Sequence, residues 1–130
     1  MHRKVCVIGL GYVGLTLAVT LAENNEVYGV DTSESVIEGL QKGVVGFYEK
    51  GLAGQVDRFH RNNLSFSTTI PGSTCDFYVI CVGTPIDSYK KPIFLYLENA
   101  VRTVSENLKE GDTVILRSTV PDRDWETQIT

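Results

Sequence analysis

The stretch that decides the fold is Val5-Cys6-Val7-Ile8-Gly9-Leu10-Gly11-Tyr12-Val13-Gly14-Leu15, near the start of a 130-residue chain. Val5, Val7 and Ile8 are β-branched, and the run from Val5 to Ile8 has the composition of a buried strand. Glycines follow in the spacing G-x-G-x-x-G, and an apolar helical pattern starts after Gly11. Eighteen residues from Val5 to Ala22 carry no charge, and His2, Arg3 and Lys4 precede them. A signal peptide or a membrane helix is therefore the competing reading. Gly9, Gly11 and Gly14 in the first half of the run, with no A-x-A site after it, argue against both.

Outward from this stretch, strands and helices alternate. Lys4–Ile8 is the first predicted strand. Tyr12–Glu23 is a predicted helix with Val13, Leu17 and Leu21 on one face and Ala18 and Ala22 beside them. Asn24-Asn25 breaks it, and Glu26–Val30 is a second strand that ends at Asp31. Ser33 suits an N-cap, with Glu34 in the first turn of a short helix carrying Val36, Ile37 and Leu40. Gly43 and Gly46 open an irregular stretch, and a helix fits Leu52–Phe59. Leu64–Ser67 reads as a third strand. Phe77–Val82 is almost wholly apolar, as in a central parallel strand covered on both faces, and Gly83-Thr84-Pro85 stops it. Leu97, Val101, Val104 and Leu108 recur at helical spacing, with Gly111 where a C-terminal cap belongs, and Thr113–Leu116 is a further strand. This order predicts an α/β single domain, a mostly parallel sheet with crossover helices.

Lys plus Arg number 12 against 16 for Asp plus Glu, so the net charge is −4 and the pI about 5.1. Without a basic run, charge-driven binding to nucleic acid or to a membrane surface is not expected. The three cysteines, Cys6, Cys75 and Cys81, form no CxxC pair and are odd in number. A disulfide framework is disfavoured, and a reducing cytoplasm is the expected compartment.

A strand before the glycine motif, a helix after it and a second strand ending in an acid are the context of a dinucleotide site. Asp31 lies 22 residues beyond Gly9 (31 − 9), near the usual separation of about 20. In that reading Gly9 permits the turn, Gly11 lets a pyrophosphate approach the backbone, and Gly14 lets the helix pack on the strand. The helix N-terminus meets the phosphates. Asp31 accepts from the adenosine ribose hydroxyls, and no Arg or Lys in residues 32–37 holds a 2′-phosphate, so NAD is favoured over NADP. A turn that binds nothing, a methyltransferase glycine loop, and a helix-initiating Asp31 are the alternatives.

Cys81 stands near the end of a central strand, where a nucleophile would be placed, although a buried strand cysteine is more often a small hydrophobe. Cys6 reads as packing and Trp125 as edge cover. His2 and His60 lack ligand spacing, so no metal site is expected. Thr84 and Thr119 follow apolar strands. Their hydroxyls suit either the crevice where a nicotinamide would lie or ordinary Thr-Pro turns.

Three segments together resemble the UDP-glucose/GDP-mannose dehydrogenase family: Val5 to Leu15, Cys81-Val82-Gly83-Thr84-Pro85, and Ser118-Thr119-Val120-Pro121. Phe47-Tyr48-Glu49 and Gly51-Leu52 are similar to its loop ending Glu-Pro-Gly-Leu. The resemblance implies a Rossmann-type, doubly wound NAD domain with helices on both faces. It belongs to an enzyme that oxidises the C6 hydroxyl of a nucleotide sugar to a carboxylate, with two NAD and a thiol-bound intermediate. It further implies that Gly9, Gly11, Tyr12, Val13 and Gly14 hold the pyrophosphate and Asp31 the ribose. Val82, Gly83, Thr84 and Ser118 would line the cofactor cleft, and Thr119 would help place a catalytic water. The full-length protein would be a homodimer acting in polysaccharide biosynthesis.

Departures from the family pattern bear on function. Val36 stands where the family usually has a Lys or Arg beside the ribose, and Gly46 and Lys50 replace loop prolines. Ile93-Phe94-Leu95 replaces Asp-Leu-Ser, Asp122-Arg123-Asp124-Trp125 replaces Pro-Gly-Thr-Thr, and Pro71-Gly72-Ser73 replaces much of a short helix. No cysteine here matches the family's nucleophile, and its substrate-binding lysine and asparagine have no counterpart. Residues 1–130 are thus expected to be the N-terminal domain of a longer dehydrogenase, without its central and C-terminal domains and inactive alone. A non-catalytic dinucleotide-binding module is the second expectation.

Overall fold

Parallel neighbours must be joined by crossovers, and here helices supply them. The computed structural model describes residues 3–46, 50–60, 62–72, 75–83, 85–91 and 93–117. The elements run β1 (Lys4–Ile8), α1 (Tyr12–Ala22), β2 (Glu26–Val30), α2 (Glu34–Gln41), α3 (Leu52–Phe59), β3 (Leu64–Ser67), β4 (Phe77–Ile80), α4 (Leu95–Asn107) and β5 (Thr113–Leu116). The sheet order is β3-β2-β1-β4-β5, with every pairing parallel. Strand order therefore reverses beside β1, with Val7 opposite Gly29 on one side and Val79 on the other.

Alternation along β1 divides the core between the two faces of the sheet. Val5 and Val7 pack with Leu15, Ala18, Val19 and Val79 on the side of α1 and α3. Cys6 and Ile8 pack with Tyr78, Ile80, Leu97 and Val104 on the side of α4. Helices on both faces and a buried central strand match the doubly wound expectation. The Ser33 hydroxyl accepts from Val36 N at 3.3 Å, so it caps α2 as its sequence position suggested.

Three local expectations are corrected. The buried face of α1 is Gly14, Leu15, Ala18, Val19 and Ala22, while Val13 is exposed and Leu17 and Leu21 are partly buried. Small residues at positions 14, 18 and 22 let the helix lie close on the sheet, and contact between Gly14 and Gly9 sets its rotation. β4 ends at Ile80 and not at Val82, because its ladder with β1 closes at the Ile8–Ile80 pair, where β1 gives way to the Gly9 turn. Gly111 does not cap α4, which ends at Asn107 with Leu108 already extended. It sits at φ +92° in a separate turn, where Asp112 N donates to Lys109 O. Gly43 instead closes α2: it has φ +81°, its N–H donates to Leu40 O, and Val44 N donates to Gly39 O. The loop at 47–49 and Trp125 lie outside the described residues.

Lys109 Nζ lies 2.7 Å from Asp112 Oδ1 and also donates to Cys75 O, tying the start of β5 to the approach of β4. The side-chain hydrogen bond from Lys109, then that from its backbone N–H, hold the Asp112 carboxyl below the ordinary carboxylate range. A carboxyl lowered on folding adds stability above its unfolded titration range and loses it as pH falls through the folded value. Asp112→Asn should therefore be less stable than wild type at pH 7, with the gap closing below about pH 4. Urea unfolding across pH checks this; a pH-independent gap would show that the pair contributes nothing.

Candidate functional site

The turn between β1 and α1 depends on two positions where a side chain is not tolerated, Gly9 and Gly14. Gly9 has φ +96°, and a Cβ there would lie 2.9 Å from the Cys81 carbonyl carbon and oxygen and 3.0 Å from Val82 N. A Cβ on Gly14 would overlap Gly9 O, so α1 packs on the turn backbone itself. Gly11 differs. Its φ of −74° is ordinary, and a Cβ there would meet nothing within 4 Å. Nothing among the described residues requires a glycine at position 11.

Gly11, Tyr12 and Val13 are exposed, α1 has no side-chain cap, and its first turn carries no acid. A helix end of this kind presents backbone donors and the positive end of the dipole, which suits an anion. Beside it stands Asp31 at the tip of β2. Its Oδ2 accepts from Leu10 N and its Oδ1 from Ser33 N, both at 2.9 Å. Each oxygen keeps a further lone pair for a hydroxyl. Asp31 thus braces the glycine turn as well as starting the approach to α2, where Ser33 is the cap. Val36 is exposed one turn into α2 and offers no charge.

On the far side of the turn, Val82 is half-buried and Gly83 exposed, with nothing within 4 Å of a Cβ at Gly83. Thr84, Ser118 and Thr119 lie outside the described residues. Cys81 is half-buried, and burial pushes its thiol above the ordinary range, an effect that the Arg117 charge only partly offsets. At neutral pH it stays a neutral thiol, a poor nucleophile. Cys6 and Cys75 are fully buried against each other, and their mutual hydrogen bond, then burial, raises the Cys6 thiol. His60 packs its ring on Phe66. No cluster of three or more His, Cys, Asp and Glu side chains able to hold a metal occurs among the described residues. No helix among them is long and apolar enough to cross a membrane.

Sequence reading singled out the glycines and Asp31 but missed Leu10 and Gly29. A glycine inside a strand is itself a signal of close approach. The Leu10 side chain is buried in the core, and a Cβ on Gly29 would meet both of its methyl groups.

A parallel sheet in this order, with a glycine turn opening the first crossover and an acid ending the second strand, defines a Rossmann-type dinucleotide-binding fold. The chain belongs to the UDP-glucose/GDP-mannose dehydrogenase family: residues 3–129 match that family's NAD binding domain. It is 37% identical to the UDP-glucose 6-dehydrogenase TuaD of Bacillus subtilis, over 92% of this chain and 27% of that protein. It is 36% identical to a UDP-N-acetyl-D-mannosamine dehydrogenase of Methanococcus maripaludis, over 92% of this chain and 29% of that one. The fold superposes, with a TM-score of 0.88, on a ternary complex of GDP-mannose dehydrogenase from Pseudomonas aeruginosa, covering 98% of this chain and 30% of that one at 30% identity. The chain spans less than a third of the length of each.

Two glycines of the same motif should separate in a stability test. Gly14→Ala forces the turn and α1 apart and should cost about 1–3 kcal/mol or more. Gly11→Ala should cost less than about 1 kcal/mol, the scale of a helix-cap change. Urea denaturation of both variants checks the contrast, and equal losses would contradict the open space at Gly11.

Proposed function

We propose that this chain is the N-terminal, NAD-holding part of a longer dehydrogenase that oxidises the C6 hydroxyl of a nucleotide sugar to a carboxylate, using two NAD. The observation that carries the reading is the uncapped, acid-free N-terminus of α1, open at Gly11 and set beside the Asp31 carboxylate. A pyrophosphate fits against Gly11, Tyr12 and Val13, while Gly9 and Gly14 shape the turn beneath it. Asp31 accepts from the ribose hydroxyls and, by its charge, rejects a 2′-phosphate.

NAD, when bound, supplies the hydride acceptor. The protein's own part is to hold it at the β1–β4 edge, with Val82 and Gly83 beside the turn. The family resemblance extends this cleft through Thr84, Ser118 and Thr119, with Thr119 placing the water that completes oxidation to the acid. None of the three thiols is suited to hold an aldehyde: Cys6 and Cys75 are fully buried, and the Cys81 thiol is kept neutral. A nucleophile and the sugar-reading residues are supplied by the rest of the longer protein, which the reading makes a cytoplasmic homodimer of polysaccharide biosynthesis.

Calorimetric titration with NAD, NADP and S-adenosylmethionine tests the reading. NAD should bind at least tenfold more tightly than NADP, on the order of 1.4 kcal/mol. Asp31→Asn should narrow that gap, and Gly11→Ala should weaken NAD by about tenfold or more. Equal affinities for NAD and NADP would refute the role of Asp31. Tighter binding of S-adenosylmethionine would favour a methyltransferase-like site. NAD binding by a protein whose full-length form oxidises no nucleotide sugar would favour the non-catalytic module.

A further inference from the structure

We propose that Leu10 and Gly29 position the nucleotide-binding turn, the Leu10 side chain filling a socket that exists because Gly29 carries no side chain. A glycine in a strand interior weakens the strand, and Gly29 is not among the residues with positive φ, so conformational freedom does not account for it. Space does. A Cβ at Gly29 would lie 3.2 Å from both Leu10 methyl carbons and 2.9 Å from Phe66 Cδ1. Leu10 is 3% exposed and Phe66 5%, so neither has open solvent to retreat into.

The consequence lies in what Leu10 is bonded to. Gly9 N donates to Val30 O at 2.8 Å, and Leu10 N donates to Asp31 Oδ2 at 2.9 Å. The turn therefore grips three successive residues: Gly29 through the Leu10 side chain, Val30 through the Gly9 amide, and Asp31 through the Leu10 amide. Its other side abuts the Cys81–Val82 backbone. Leu10, between the two glycines, thus fixes where Gly11 and the start of α1 stand relative to Asp31. The phosphate-facing and ribose-facing groups move as one unit. Leu10 and Gly29 touch no ligand in this arrangement and are positioning residues.

This inference rests on the NAD-binding reading of the same turn, and the experiment separates the two. Leu10→Ala, Leu10→Met, Gly29→Ala and Val56→Ala are compared with wild type by NAD titration, thermal melting, and backbone amide spectra recorded without NAD. Val56 is fully buried on α3 in the same core and serves as the stability control. Leu10→Ala and Gly29→Ala should each weaken NAD about tenfold, as expected of a turn displaced by a fraction of an ångström. They should also shift the amides of Gly9, Gly11 and Ser33. Leu10→Met, which refills the socket, should hold affinity within about twofold of wild type. Val56→Ala should lower the melting temperature without moving affinity or those amides. The proposal is overturned if Leu10→Ala and Gly29→Ala leave both as in wild type, or if Val56→Ala weakens NAD as much. If wild type binds no NAD, the functional reading fails and the amide shifts alone decide the positioning role.

Discussion

At Gly9 the chain leaves β1 and passes so close to the Cys81–Val82 backbone that a single added carbon would lie 2.9 Å from it. The same residue receives Gly14 of α1 on its carbonyl oxygen, so strand, turn, helix and the Cys81–Val82 segment after β4 meet at one point. Close-packed interiors do not yield such contacts gradually, and a shift at one partner is passed to the others. The position of the α1 N-terminus follows from this contact, and so does the early end of β4. Asp31 is then tied to the turn by a hydrogen bond from Leu10 N, so the acid and the helix end share one frame.

An apolar scaffold carries this polar site. No polar or charged residue is buried as a whole among the described residues, although the Asp112 side chain is, and both faces of β1 and β4 are packed with aliphatic residues, Cys6 and Tyr78. Asp31 stands at the carboxyl end of β2, beside the start of α1. α1 has Gly11 at its cap position and forgoes a Ser or Asp side chain there, a difference of about a few tenths of a kcal/mol. A helix end without its own cap, on a rigid apolar base, is suited to take its electrostatic partner from outside.

The alternation of elements was legible along the chain because β-branched runs and glycine or asparagine breaks recur at the lengths that strands and helices need. Ser33 as a cap and Leu52–Phe59 as a helix were readable for the same local reason. The glycine motif and Asp31 were also readable, since their meaning depends on spacing within one strand-helix-strand unit. The rotation of α1 was not. Apolar residues surround that helix, so periodicity does not single out the side that Gly14 presses onto the sheet.

The amino-acid sequence by itself determined the parallel α/β class and the glycine turn with its acidic partner, because each depends on residues close together along the chain, and the family, because its separate motifs keep their order and spacing. Tertiary structure decided which atoms each glycine makes room for. Gly9 answers to Cys81, Gly14 to the Gly9 carbonyl, Gly29 to Leu10 and Phe66, and Gly11 to nothing among the described residues. Four glycines look alike in a sequence. What distinguishes them is which atoms would meet a missing side chain, and at Gly9 and Gly29 those atoms come from segments far apart in the chain.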